Sequence, residues 1–312
     1  MPTLTLGVSN FSAAPNSDGW AALLGTARDA DAAGIDRITV VDHVVMGSDT
    51  SAYDGARFPT GADGEWLEPL TVLSVIAGQT SRVRLSTGIL IAALREPAVL
   101  AKTVATLDVL SGGRVDLGVG VGWQAKEYEA VGLDFARRGA LLDATLADLR
   151  SLWGASPTML NRAIRDAHRN TSATRVEDVW CEPKPTQPGG VPIWVSGRLN
   201  AAVLRRIVAF GDGWIPWGEY ATDVAPSIPV VHEALQQAGR DPSGFQVRAT
   251  LPIVRDSNAA VDLAATVRPV PELISHGATD FGVSLALPAI ASERQDLLAA
   301  LVDAFRTARL WA

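Results

Sequence analysis

Eight short apolar runs alternate with helical patterns along almost the whole chain, and this alternation limits the possible folds more than any other feature. The runs are rich in Val, Ile and Leu, as expected of parallel strands that are buried on both faces. They occupy residues 4–9, 35–41, 83–91, 115–119, 192–195, 213–216, 246–254 and 281–287. Such repeated strand–helix units predict an α/β fold with a parallel sheet.

The number of units favours a closed barrel over an open sheet. Helical patterns lie at 20–33, 68–80, 98–110, 139–153, 201–210, 224–239, 259–276 and 291–310. Eight strands that alternate with helices predict a (β/α)8 TIM barrel. The competing doubly wound sheet would carry a Gly-x-Gly-x-x-Gly turn after its first strand. Residues 10–15, which follow that strand here, contain no glycine, so the barrel is preferred.

Two stretches interrupt the alternation. Residues 47–66 follow the second strand, are rich in Gly, Ser, Asp, Thr and Pro, and are predicted to form a flap over the barrel mouth. Residues 155–190 precede the fifth strand, include an amphipathic segment at 159–169, and end in a proline-rich extended approach. Neither resembles a linker, so residues 1–312 are predicted to form one domain with both stretches as insertions.

Charge and composition narrow the classes of function. The net charge of −7 and the pI near 5.2 argue against nucleic acid as a partner, and any anion must be held by a local cluster of cations. No apolar run reaches the roughly 20 residues that span a bilayer, which argues against a membrane protein. Cys181 is the only cysteine and the first residues lack a secretory pattern, so a cytoplasmic location is expected.

Residues 111–123 combine a helix stop, a buried strand and a glycine-rich turn, with the sequence Ser-Gly-Gly-Arg-Val-Asp-Leu-Gly-Val-Gly-Val-Gly-Trp. Gly120 and Gly122 remove side chains at the carboxyl end of the strand, so backbone amides there can approach a flat ring or a phosphate. An ordinary strand-to-helix turn is the alternative. Active sites of TIM barrels lie at this end of the strands, which makes the turn a candidate binding element.

Two other strand ends carry candidate catalytic or binding residues. Asp42 and His43 follow the second strand, and such a pair can relay a proton or donate a hydrogen bond to a developing charge. The alternative is an Asp that caps the loop beside a His that only packs. Gly88 lies inside the third strand-like run, where a glycine often marks a bulge or the close approach of a ligand.

The end of the fifth strand is a candidate phosphate site. Ser196, Gly197 and Arg198 precede a helix and offer free amides and a guanidinium; an ordinary helix start is the alternative. Three tryptophans fall at or near predicted loop ends and are candidates for an aromatic substrate pocket, although each alone is more often a core residue. They are Trp66, Trp123 and Trp217.

Together these residues resemble the bacterial luciferase-like monooxygenase superfamily, and more closely its branch of oxidoreductases that depend on the deazaflavin coenzyme F420. The resemblance covers almost the whole chain. Its most specific portions are residues 34–38, 41–45, 68–73, 80–88, 107–123, 192–198 and 211–214.

The resemblance implies a TIM barrel that holds a flavin or deazaflavin at the carboxyl ends of its strands. A non-proline cis peptide bond would lie behind the ring at Gly88–Ile89, and His43, with Asp42 beside it, would sit near the reacting ring position. The implied cofactor-binding residues are Gly88, Ile89, Gly120, Gly122, Trp123, Ser196, Gly197 and Arg198. The ring and ribityl chain would contact the glycine turn, and the phosphate would bind at the last three of these residues.

Departures from the family pattern bear on the substrate. Sugar-phosphate dehydrogenases of this branch carry an aromatic residue four positions after the His and a glutamate after the second glycine of the turn, where this chain has Gly47 and Trp123. A sugar phosphate is therefore not expected. With Trp66 nearby in the flap, the sequence predicts a small and rather apolar organic substrate.

The resemblance leaves the cofactor open between two candidates. Coenzyme F420 implies hydride transfer to or from the substrate, whereas FMN implies oxygen activation and monooxygenation. F420 also carries an acidic tail that needs nearby cations, for which Lys126 and Arg198 are the candidates. Members of the family are often dimers, so a homodimer is an expectation, and no metal site is expected.

Two classes outside this family activity are also considered. A barrel hydrolase or aldolase would need paired acids or a buried barrel lysine. The three lysines, Lys102, Lys126 and Lys184, lie outside the predicted strands, and Asp42 has no obvious acidic partner. A non-catalytic flavin-binding protein stays open, because a fold persists when its activity is lost.

Overall fold

The computed structural model describes residues 1–12, 20–53, 58–161 and 175–311. The strands of this part are β1 (Thr3–Gly7), β2 (Phe11–Ser12), β3 (Arg37–Val40), β4 (Glu65–Trp66), β5 (Arg84–Thr87), β6 (Val115–Val119), β7 (Thr158–Asn161), β8 (Arg175–Val179), β9 (Ile193–Gly197), β10 (Gly213–Pro216), β11 (Gln246–Thr250) and β12 (Asp280–Val283). The helices are α1 (Ala21–Ala33), α2 (Pro69–Ala77), α3 (Pro97–Ser111), α4 (Ala125–Ala130), α5 (Arg138–Trp153), α6 (Ala201–Phe210), α7 (Ile228–Gln237), α8 (Leu263–Val267), α9 (Val270–Ser275) and α10 (Ala291–Ala308).

Eight parallel strands close into a barrel in the order β1, β12, β11, β10, β9, β6, β5, β3. The predicted TIM barrel is therefore confirmed. The strand-like runs predicted at 83–91, 246–254 and 281–287 end too late, because the chain leaves the ladder after Thr87, Thr250 and Val283. The apolar residues beyond these points belong to the loops at the carboxyl ends of the strands.

Helices cover the outside of the barrel and are defined by local sequence signals. For example, α3 has a proline at its first position and is closed by Gly112, whose φ of 70° is left-handed. Alternate strand residues such as Leu6, Ile38 and Leu117 are fully buried in the layer between barrel and helices. None of the helices in the described ranges is both long enough and apolar enough to cross a membrane.

Both predicted insertions contribute to small antiparallel sheets. The first supplies β4, which pairs with β2 from the loop after β1. In the same loop, the buried Asn10 donates hydrogen bonds to the carbonyls of Val41 and Leu67 at 2.8 Å each. These bonds tie both ends of the flap to the barrel rim. In the second, β7 pairs with β8. Most of the amphipathic segment predicted at 159–169 lies outside the described residues.

Charged residues fill the amino-terminal part of the barrel interior. Arg37 on β3 bonds Asp116 on β6, with 2.9 Å between Nε and Oδ2, and also pairs with Asp280 on β12. Arg248 on β11 pairs with the same Asp280. Because β3 is a neighbour of neither β6 nor β12 in the barrel, the side chain of Arg37 must reach its two partners through the barrel interior. Both guanidiniums lie over the ring of Trp194, at 4.6 and 5.2 Å from its centroid, in cation–π contact.

The two guanidiniums hold the carboxylate of Asp280 in its ionised form. Burial alone would raise its pKa, but the charges of Arg248 and Arg37 and a hydrogen bond from Thr3 outweigh burial and lower the pKa to about 2. An unfolded Asp has a pKa of about 3.9. The group therefore stabilises the fold at pH values above about 4, and this contribution is lost as the pH falls toward 2.

We expect Asp280→Asn to lower the free energy of unfolding at pH 7 by about 3–5 kcal/mol, because two buried guanidiniums lose their shared counter-ion. The difference between variant and wild type should narrow between about pH 4 and pH 2, where Asp280 itself becomes protonated. Urea unfolding, followed by tryptophan fluorescence over this pH range, measures the free energy of unfolding of both proteins and how their difference changes with pH. Glu129→Gln is the control, because its pair with Lys126 is exposed and is worth under about 1 kcal/mol. Equal losses in the two variants would contradict the prediction.

Candidate active site

A cavity of about 820 Å³ opens at the carboxyl ends of the barrel strands, within the usual size range of small-molecule sites. All twelve residues that the sequence singled out for catalysis, for the ring and phosphate of a cofactor or for the substrate pocket lie on its wall. They are Asp42, His43, Trp66, Gly88, Ile89, Gly120, Gly122, Trp123, Ser196, Gly197, Arg198 and Trp217. The structure thus brings the candidate residues together, while their roles in binding and catalysis stay predictions.

One wall of the cavity is largely bare backbone. The peptide bond Gly88–Ile89 is cis, as the resemblance implied, and the following Leu90 exchanges backbone hydrogen bonds with Gly118 and Gly120 at 2.7 and 3.1 Å. A Cβ on Gly120 would lie 3.0 Å from the Ile89 side chain, and one on Gly122 would lie 3.1 Å from Ile91. These glycines keep a flat strip free of side chains.

His43 pairs with a glutamate that the sequence analysis missed. Its Nδ1 lies 3.2 Å from Oε1 of Glu127, and the same oxygen accepts the Val44 N–H at 2.8 Å. Glu127 is fully buried, and no hydrogen bond within the described residues uses its Oε2. It stands three residues after Gln124, the N-cap of α4, where a glutamate usually signals a capping box. That pattern is the signal in the sequence that could have pointed to Glu127. Its carboxylate nevertheless bonds the loop that carries His43 and Val44.

Asp42 does not form the relay with His43 that the sequence suggested. Its two oxygens accept hydrogen bonds from the Arg95 guanidinium at 2.7 and 3.0 Å, and Oδ2 also accepts the Ile91 N–H at 2.9 Å. Because the carboxylate is directed at Arg95 and at the backbone after the cis bond, it fixes the cavity wall. The residue that contacts the imidazole is Glu127.

Aromatic side chains surround His43 on the side of the flap. The Trp66 ring stands edge-on to the imidazole at 4.6 Å between centroids, and Tyr53 reaches across to Trp217 at 6.1 Å. Burial raises the pKa of the Tyr53 hydroxyl, so it stays neutral near pH 7. The aromatic cluster consists of Phe11, Tyr53, Phe58, Trp66, Trp123 and Trp217.

The opposite end of the cavity lies at the start of α6. Asn200 caps this helix by accepting the N–H groups of Ala202 and Val203 at 3.0 Å each. Gly197 has a φ of 147°, and a Cβ there would lie 2.9 Å from Val203, so the loop before the helix needs glycine. Arg198 lies on the cavity wall beside it.

The second cation expected for an acidic tail lies elsewhere. Lys126 is on α4, pairs with Glu129, and lines a different and smaller cavity, of about 310 Å³. Within the described residues it is not part of the larger cavity's wall. Of the two cations that the sequence suggested for the acidic tail, Arg198 lies on the wall of the larger cavity and Lys126 does not.

Comparison with known proteins gives the family. Residues 3–306 match the sequence pattern described as luciferase-like monooxygenase. The chain belongs to this family. Among curated relatives of this luciferase-like protein, the uncharacterized protein Rv0953c of Mycobacterium tuberculosis is 30% identical over 237 residues, which cover 76% of this chain and 74% of the relative. The phthiodiolone/phenolphthiodiolone dimycocerosates ketoreductase of the same species is 30% identical over 233 residues, covering 72% of this chain and 58% of that enzyme.

A solved structure shares the whole fold of the luciferase-like protein. It is an F420-dependent secondary alcohol dehydrogenase in complex with an F420–acetone adduct. The two chains superpose with a TM-score of 0.72 over 98% of this chain and 99% of the other, at 17% sequence identity. At this identity the likeness shows the barrel fold alone.

We expect Gly120→Val to abolish the binding of a flat ring while the protein stays folded, because the added methyl groups would occupy the bare strip between Ile89 and the cavity. Titration with F420 and with FMN, followed by coenzyme fluorescence, measures the loss. Gly244→Val is the matched control, since Gly244 is exposed and a Cβ there meets nothing within 4 Å. Undiminished binding by Gly120→Val would mean that no ligand ring lies on this wall.

Proposed function

We propose that this protein is an oxidoreductase that uses coenzyme F420 to transfer a hydride to or from a small, apolar organic substrate. The observation that carries the proposal is the division of one cavity into a bare backbone strip, an aromatic cluster around His43 and a guanidinium end at Arg198. A flat ring, an apolar substrate and a phosphate each find a matching surface there.

The residues of the cavity suit a tricyclic ring with a phosphate-bearing chain. Gly120 and Gly122 leave space that any Cβ would reduce, and the cavity volume of about 820 Å³ is large enough for a cofactor together with a small substrate. Ser196, Gly197 and Arg198 would hold the phosphate through amides and a guanidinium. When bound, F420 supplies or accepts the hydride at its C5.

His43 would move the proton that accompanies the hydride. Reduction of a ketone adds a hydride to the carbonyl carbon and a proton to its oxygen, and oxidation of the alcohol reverses both. Oε1 of Glu127 faces Nδ1 of His43, so Nδ1 keeps its hydrogen and Nε2 is the nitrogen left to exchange a proton with the substrate oxygen. Glu127 would also stabilise the imidazolium before the proton leaves.

The aromatic cluster supports an apolar substrate and a dry reaction site. The rings that surround His43 offer large apolar surfaces, and the neutral Tyr53 hydroxyl adds no charge. Exclusion of water strengthens the hydrogen bonds made by the imidazole. The names of the ketoreductase and of the secondary alcohol dehydrogenase support a ketone and its secondary alcohol as the reacting pair.

FMN-dependent monooxygenation is the second candidate. The family is described as luciferase-like monooxygenase, and the strip at Gly120 and the phosphate end at Arg198 would serve FMN as well as F420. The two cofactors share the ring system and the ribityl phosphate. Which of the two cofactors the protein binds more tightly therefore decides between hydride transfer and monooxygenation.

We expect saturable binding of F420, followed by fluorescence, with tighter binding than FMN. Arg198→Ala should weaken F420 by about tenfold to a hundredfold, because hydrogen bonds to charged groups contribute about 1.5–3 kcal/mol. Arg205→Ala, an exposed change on the same helix, should leave the affinity unchanged. Preference for FMN would move the assignment to the monooxygenase, and binding of neither would rule out the cofactor site.

We expect Glu127→Gln to lower kcat while leaving F420 affinity unchanged, because the amide keeps the shape of the side chain but no longer stabilises an imidazolium at His43. The loss should lie within the roughly 10²–10⁴-fold that general acid–base catalysis contributes. The assay follows F420 absorbance with ketones from acetone to cyclohexanone. Glu129→Gln, on the same helix and exposed, is the control. Tight F420 binding without turnover of any ketone or alcohol would favour a non-catalytic binding protein.

A further inference from the structure

The hydroxyl group of Tyr53 is a polar group on the cavity wall that the proposed function does not use. Tyr53 belongs to the aromatic cluster, lines the cavity and is partly buried. Within the described residues no hydrogen bond uses its hydroxyl. Tyr128 shows the usual arrangement, since its hydroxyl donates to the carbonyl of Val121 at 2.7 Å. A buried tyrosine hydroxyl normally has such a partner, so the hydroxyl of Tyr53 is available to a ligand in the cavity.

Two indole N–H groups beside Tyr53 are available as well. The rings of Trp123 and Trp217 lie 5.4 and 6.1 Å from the Tyr53 ring, measured between centroids, and both line the cavity. In the part of the chain that the structure describes, neither N–H takes part in a hydrogen bond. By contrast, the N–H of Trp66 in the same cluster donates to Oγ1 of Thr60 at 3.1 Å. Because an indole N–H can only donate, this side of the cluster is suited to a hydrogen-bond acceptor.

Tyr53 and His43 are separate neighbours of the same two aromatic rings. The Phe58 ring lies 5.4 Å from the imidazole and 5.3 Å from the Tyr53 ring. The corresponding distances for Trp123 are 5.7 and 5.4 Å. Among the described aromatic side chains, the imidazole and the Tyr53 ring make no contact with each other. A substrate whose reacting oxygen lies at His43 therefore presents another of its atoms to Tyr53.

The three donors affect which substrates suit the aromatic cluster. A hydrocarbon group beside Tyr53 would remove water from the hydroxyl and from both indoles without offering a hydrogen bond in return, which weakens binding. An amine would bring further N–H donors to a place that already has donors. An ether, carbonyl or hydroxyl oxygen would accept a hydrogen bond there, while the rest of the molecule lies against the aromatic rings.

We propose that the Tyr53 hydroxyl binds a second oxygen of the substrate, away from the oxygen that reacts at His43. The substrate is then a ketone or secondary alcohol that carries an additional ether, carbonyl or hydroxyl oxygen on an otherwise apolar frame. The inference rests on the proposed function, because it takes His43 to meet the reacting oxygen, and it narrows the substrate class. Tyr53 becomes a residue that determines specificity.

The test uses pairs of ketones that differ only in an oxygen in place of a methylene group. One pair is tetrahydropyranone, with its oxygen opposite the carbonyl, and cyclohexanone. The other is cyclohexanone with a methoxy or an ethyl group opposite the carbonyl. Binding is measured by calorimetry, with F420 present and absent, for wild type and for Tyr53→Phe, which keeps the ring. In at least one pair, the ratio of the affinity of the ether to that of its hydrocarbon partner should fall by about twofold to tenfold, the usual value of a neutral hydrogen bond.

Tyr220→Phe is the matched control, because it removes the same hydroxyl from a tyrosine that is not among the described residues of the cavity wall. It should leave both ratios as in wild type. Unchanged ratios in Tyr53→Phe, or equal weakening of both members of each pair, would overturn the proposal, and so would failure of every ketone to bind. Failure of F420 to bind would instead overturn the proposed function, and the ratios measured without F420 would still report on Tyr53.

Discussion

The ion network inside the barrel determines where a ligand site can form. Four charged residues, one from each of four strands, occupy the amino-terminal part of the interior: Arg37, Asp116, Arg248 and Asp280. Both guanidiniums lie over the ring of Trp194. Buried charges stay buried only when each is paired, so this layer is closed to other groups. The remaining interior space opens at the carboxyl ends of the strands, where the cavity lies.

The wall of that cavity is held by long-range polar contacts rather than by the loops alone. Asp42 ties the end of β3 to Arg95 and to the backbone after the cis bond. Glu127 ties the next two residues, His43 and Val44, to α4. Neighbouring residues of one loop are thus fixed from two different directions, which leaves the imidazole a single well-defined orientation toward the cavity.

The barrel and the cavity wall were predictable because their signals are local. Apolar runs, the glycine turn at Gly120 and Gly122, and the Asp42–His43 pair each lie within a few neighbouring residues. The partner of His43 was not predictable, since Glu127 stands 84 positions away and only the closed barrel brings the two together. The charged interior was missed for a related reason, because an arginine in a strand looks like a surface residue until its neighbours are known.

The polarity of the cavity limits how a ligand can lie in it. Aromatic side chains surround His43 on the side of the flap, and the middle of the cavity wall is largely backbone. The guanidinium of Arg198 lies at the other end, next to the start of α6. A molecule with an anionic end and a flat apolar ring gains from both surfaces in one orientation only, because the reverse would bury its charge among aromatic rings. The charge distribution of the cavity therefore favours one direction of binding, in which a flat ring would lie beside the imidazole of His43.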